Sequence, residues 1–140
     1  MMTSQKEPRY SRTEAEAAAK SPIARAFLTQ RSALNQIVND ANNNLVKRFY
    51  NIDHNTYMEG ALSSSVKELM GLSVSAALRC DDCINYHIIQ AWRLDRSRAE
   101  LEEAINVALV IGGSIIIPHM RRAYALINEL YSTEQAEPGL

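Results

Sequence analysis

The sequence predicts an all-α protein, and three observations carry that expectation. Eighteen Ala and thirteen Leu among 140 residues favour helix. Five Gly and four Pro leave little room for the turns of a β protein. No segment alternates with period two, whereas several repeat apolar residues at helical spacing. The length makes one domain the default and suffices for a core without disulfide or metal staples.

The elements follow in order. Residues 1–12 read as a flexible arm. Thr13 and Glu16 have capping-box spacing ahead of an Ala-rich stretch to Lys20. Ser21-Pro22 restarts the chain with a cap and a first-turn proline, and the next helix carries Ile23, Phe27, Leu34 and Val38 on one side. Asn and Asp at 39–44 compete for backbone hydrogen bonds and predict a break. Leu45 to Tyr50 reads as a short helix and Asn51 to Gly60 as a connection. Ser63, Ser64 and Ser65 are alternative caps for a segment running to Leu78, apolar enough to expect burial on most sides. After a polar break, a helix spans about Asp82 to Arg93. Ser97 and Glu100 cap another, with Leu101, Ala104, Ile105, Ala108 and Leu109 at core spacing. Gly112-Gly113 ends it. A last helix runs from about Ser114 to Tyr131 with Pro118 in its first turn, and residues 132–140 read as a frayed tail. The division expected is an N-terminal arm and helical extension over 1–40 and a helical domain over 41–140.

Charge narrows the function. Fifteen basic and sixteen acidic residues leave a net charge of −1, which argues against a nucleic-acid partner. No apolar run is long enough for a membrane span, and Met1 to Tyr10 is polar, so a cytoplasmic location is expected. No glycine-rich phosphate loop is present, and no cofactor is expected.

The chemistry gathers at Cys80-Asp81-Asp82-Cys83, a C-x-x-C at a predicted helix start. Two cysteines fall three apart by chance about one time in seventy. A helix N-terminus stabilises a thiolate, and a second thiol one turn away can close a disulfide. Asp81 and Asp82 oppose this, because negative charge raises a thiol's pKa, and Arg79 offsets them in part. His87, four residues after Cys83, shares its face and can accept a thiol proton. Glu68 faces His87 if the two helices form a hairpin turning near Arg79. Ser65 and Glu68 also fit a capping box, so the carboxylate has two readings.

Together these residues resemble the alkylhydroperoxidase D (AhpD)-like branch of the carboxymuconolactone decarboxylase family. The resemblance runs through Leu62-Ser63, Lys67-Glu68-Leu69-Met70, Cys80-x-x-Cys83-x-x-x-His87, Ala91, Glu100, Glu103 and Gly112-Gly113, and covers about Leu45 to Tyr131. It implies a helical core, homo-oligomers (trimers or hexamers) and thiol-dependent reduction of hydroperoxides. It implies that Cys83 is the peroxidatic cysteine and that Cys80 resolves it and meets the reductant, a dithiol or lipoyl-type protein. Glu68 and His87 are implied as the proton relay. The best-known members carry a second His directly before the second Cys, and here that position is Asp82. The family's decarboxylase branch typically lacks the cysteine pair, which ranks a muconolactone substrate low.

Two other classes compete, besides the close variant of a disulfide reductase without peroxidase activity. A zinc site would use Cys80, Cys83 and His87 with His54 or His119. An inert, buried cysteine pair would leave a structural oligomerisation module. Trp92 and Tyr86 read as packing residues, and Arg121-Arg122 and the Arg93–Arg98 cluster as solvated or ion-paired.

Overall fold

A computed structural model describes residues 6–132. Among them lie seven α-helices: α1 (Glu14–Lys20), α2 (Pro22–Asp40), α3 (Asn44–Thr56), α4 (Ser64–Ala77), α5 (Asp81–Arg93), α6 (Arg98–Gly112) and α7 (Ile117–Leu130). A 3-10 turn, Ser114–Ile116, leads into α7 and places Pro118 in its first turn. The all-α expectation holds.

The capping signals become real hydrogen bonds. Thr13 and Ser97 each form the reciprocal box with the glutamate three residues on. Ser21 is fully buried where α1 meets α2. Its Oγ accepts from Ala24 N–H and donates to Glu129 on α7, whose carboxylate also takes Ile23 N–H. For α4 the cap is Ser63, whose Oγ accepts from Val66 N–H at 3.2 Å. The Ser65–Glu68 box is therefore not formed, which frees Glu68 for another partner.

The core lies between α4, α5, α6 and α7. Leu72, Ile88, Leu101, Ile105, Leu126 and Ile127 are fully buried. α4 packs on α5 and on α6, and α5 packs on α7. From the other side α1 and part of α2 lie on α5 and α7, burying Ala17 and Ala24.

Three expectations are corrected. α3 extends to Thr56, far past Tyr50, because Asn43 caps it at the start and the polar residues 51–56 carry the helix on. Residues 6–12 do not hang free. Ser11 N–H donates to Arg93 O, Arg12 donates to Trp92 O and stacks over its ring, and Lys6 pairs with Glu59 across a single bridge. Residues 1–5, the rest of that arm, lie outside the described residues, as do 133–140 of the expected tail. Finally, α4 is not buried on most sides. Met70, Val74 and Leu78 are 51%, 57% and 73% exposed, on one stripe with Val66. The apolar face of α2 likewise runs past the core, so that Phe27 packs while Leu34 is exposed.

Candidate active site

The site is built on the α4–α5 hairpin. α4 ends in a Schellman turn: Arg79 N–H bonds to Ala76 O and Cys80 N–H to Ser75 O, each at 3.0 Å. The turn needs a left-handed residue, and Arg79 takes that role at φ 61°. Cys80 then serves as the N-cap of α5, its Sγ accepting from Cys83 N–H at 3.2 Å. The helix end thus favours negative charge on Cys80. Cys80 and Cys83 are joined as a disulfide. Cys83 is the more exposed of the two and Cys80 is half-buried.

One turn after Cys83, His87 is buried, and its Nδ1 lies 2.6 Å from Glu68 Oε2. Glu68 is 3% exposed. Burial pushes its carboxyl above the ordinary range, against the bond and charge of His87, which pull it down. Asp53 adds to the rise and Arg93 subtracts from it. A carboxyl that burial makes easier to protonate, bonded to an imidazole, can pass a proton in either direction. The rings of Tyr57 and Tyr86 lie 5.4 Å from the imidazole, centroid to centroid.

Gly71 completes the seat. A Cβ there would lie 2.6 Å from His87 Cε1 and 2.8 Å from both ring nitrogens. The imidazole rests against the α4 backbone, and only glycine leaves room for it. Gly71→Ala is expected to displace the ring and slow thiol oxidation at least about tenfold, with a stability loss of about 1–3 kcal/mol from overpacking. Stopped-flow oxidation beside thermal unfolding checks this, and an unchanged rate would show the ring position to be immaterial.

Cys83 and His87 line one cavity of about 430 Å³ with Phe27, Arg31 and Leu34 of α2 and Asp53 of α3. Glu68 lines a second, more polar cavity of about 290 Å³ with Glu7, Tyr10 and His54. Arg31, Asn35, Asp53 and Tyr86 border both. The His87–Glu68 pair therefore reaches from one cavity to the other.

All four residues expected at the site, Cys80, Cys83, His87 and Glu68, are thus gathered within one hairpin. The extra histidines of the zinc reading are not. His54 bonds to Glu7 at 3.2 Å and His119 to Asp81 at 2.8 Å. Among the described residues no three His, Cys, Asp or Glu side chains converge to hold a metal ion. Of the arginines read as solvated or ion-paired, Arg96 pairs with Glu100, Arg98 with Glu102 and Arg122 with Asp81. Tyr57, Gly71 and Arg31 were not legible as site residues, because their approach depends on how α2, α3 and α4 pack. Among the described residues no helix is long and apolar enough to cross a membrane.

Comparison with known proteins bears on the family and the fold. The sequence model of the carboxymuconolactone decarboxylase family matches residues 44–126. Two structures of a Thermotoga maritima protein are similar, at 44% identity over 79% of this chain. They cover 96% and 93% of that protein, with TM-scores of 0.75 and 0.73. One of them is described as a carboxymuconolactone decarboxylase family protein with a suggested part in the antioxidative response. An uncharacterized protein of Cupriavidus necator is 31% identical over 51% of this chain. The chain spans 64% of that relative's length. An uncharacterized protein from the cox locus of Paracoccus denitrificans is 27% identical over 78% of this chain and 92% of its own.

Proposed function

Since the chain belongs to the carboxymuconolactone decarboxylase family, we propose that it is a thiol-dependent alkylhydroperoxidase of the family's AhpD-like branch. The observation that carries this reading is a cysteine pair joined as a disulfide, with Cys83 on the wall of the same cavity as His87, whose buried ring is bonded to the Glu68 carboxylate. His87 takes the thiol proton of Cys83. The Cys83 thiolate attacks the outer oxygen of the hydroperoxide, the O–O bond breaks, and sulfur keeps that oxygen as a sulfenic acid. The departing alkoxide takes the proton back from His87 and leaves as the alcohol. The Cys80 thiolate, favoured by its N-cap position, then attacks the sulfenic sulfur. Hydroxide leaves as water with the proton that Cys80 gave up, and the disulfide closes. A dithiol or lipoyl-type protein reopens it by becoming a disulfide itself. The suggested antioxidative role of the Thermotoga relative supports this reading.

The test is a single-turnover assay on reduced protein. A hydroperoxide is added, thiols are quenched with an alkylating agent, and Cys80 and Cys83 are read by peptide mass. Loss of both thiols to one internal disulfide is expected. Thiols that label but ignore peroxide would make the protein a disulfide reductase, a variant that the exposure of Cys83 and the acidic Asp82 beside it favour. Thiols that neither label nor oxidise would sink both readings.

Homo-oligomers, as trimers or hexamers, belong to the same proposal. Met70 and Val66 share an open groove with Val107 of α6, and the exposed Val74, Leu78 and Ile111 extend the apolar surface. A second copy of this chain is the occupant that fits it. Met70→Glu is expected to lower the mass seen by light scattering, and an unchanged mass would place the contact elsewhere.

A further inference from the structure

Asp81 stands between the two cysteines, directly after Cys80 and at the first position of α5. Left alone, its charge would oppose thiolate formation at both sulfurs. It is not left alone. His119 Nδ1 lies 2.8 Å from Oδ1, and Nε and Nη2 of Arg122 lie 3.0 Å from Oδ2. Both partners come from α7, 38 and 41 residues further along the chain. A carboxylate can only accept, so His119 Nδ1 carries the proton. The 3.2 Å approach of Arg122 to that same nitrogen is then a contact, not a bond.

We propose that His119 and Arg122 are positioning residues for the redox pair, neutralising Asp81 so that the thiols of Cys80 and Cys83 stay reactive. Nothing in the C-x-x-C itself supplies this, since the residue before the second cysteine is a further acid, Asp82. The charged and titratable groups around the pair come from five helices and the turn. α5 gives Asp81, Asp82 and His87, the turn gives Arg79, and α4 gives Glu68 behind His87. Arg31 of α2 and Asp53 of α3 stand across the cavity, and His119 and Arg122 come from α7. Of these cations, Arg122 is the one bonded to Asp81. The carboxyl of Asp81 responds as a neutralised one should. Modest burial raises it, but the bonds from His119 and Arg122 outweigh that and hold it below the usual range.

A merely structural clamp between α5 and α7 predicts different results. The experiment follows alkylation of dithiol-reduced protein by iodoacetamide across pH, reading Cys80 and Cys83 separately by peptide mass. Arg122→Gln and His119→Gln are each expected to shift the profile to higher pH and slow labelling at pH 7 about two- to fivefold. Arg122→Lys should recover part of the loss. Adding Asp81→Asn to Arg122→Gln should restore the wild-type rate or exceed it, because the charge to be neutralised is gone. About 0.5 M salt should shrink the differences.

An Arg122→Gln profile that overlays the wild type would overturn the proposal. So would a loss that persists with Asp81→Asn, or a disulfide that a dithiol cannot open. No peroxide enters the assay, so failure of the peroxidase reading and failure of this one are separable.

Discussion

Cys83→Ser is expected to abolish hydroperoxide consumption, and Cys80→Ser to allow one oxidation per chain and then stop. The asymmetry follows from the cavity. Cys83 lines it beside His87, whereas Cys80 caps the helix outside it. With Ser at 80 the sulfenic acid has no resolving thiol, and excess peroxide drives it to the sulfinic form. Peptide mass after one and after many equivalents of peroxide reads both results directly. Both variants should remain folded. The disulfide closes a loop of only a few residues, worth about 2 kcal/mol in a chain-entropy estimate, and the Ile84–Ile88–Leu126 core beneath does not involve it. Turnover by Cys83→Ser would exchange the two roles or remove the mechanism.

Glu68→Gln is the second large effect. Glutamine keeps an oxygen that accepts from His87 Nδ1–H, so the ring should stay seated, but it cannot exchange a proton. Thiol oxidation is expected to fall about a hundredfold, within the range for a lost acid–base group. Stability should move the other way at neutral pH. Because burial raises the carboxyl of Glu68, the stability it contributes is present below its unfolded pKa and is lost as pH rises through the folded one. Gln removes that penalty, so the variant should gain on the wild type as pH rises through the folded pKa. Thermal unfolding across pH beside single-turnover rates separates the two effects. A variant that oxidises at the wild-type rate would reduce Glu68 to a prop for the imidazole.

Much of the fold could be read from local signals, because helix ends announce themselves in a few residues. Thr13/Glu16, Ser21-Pro22, Ser97/Glu100 and Gly113 all act where their chemistry places them. The three serines at 63–65 show the limit. Any of them can cap, and the choice is made by which register turns Leu72 and Ala76 to the core and Glu68 toward α5. That is a tertiary decision, which leaves both readings of Glu68 open in the sequence. The thiol pair and His87 were legible because they share one helix face. Gly71 was not, since its significance is a ring arriving from 16 positions away. His119 was visible only as an alternative fourth zinc ligand, because its partnership with Asp81 spans two helices distant in sequence. The long apolar run of α4 suggested burial on most sides, but the stripe of Val66, Met70, Val74 and Leu78 faces solvent.

The buried hydroxyl of Ser21 sits where α1, α2 and α7 meet. It locks α1 and α2 to Glu129, beyond residue 126, where the family match stops, while Ser21 itself precedes residue 44, where that match begins. The segment that the family model matches and the unit that packs together therefore have different boundaries in this molecule. A fragment cut to residues 44–126 would strip Ala17 and Ala24 from the flanks of α5 and α7 and lose the closing residues Ile127 and Leu130. Cys80, Cys83, His87 and Glu68 all lie in the smaller unit, but part of the packing on α5 and α7 belongs to the larger one.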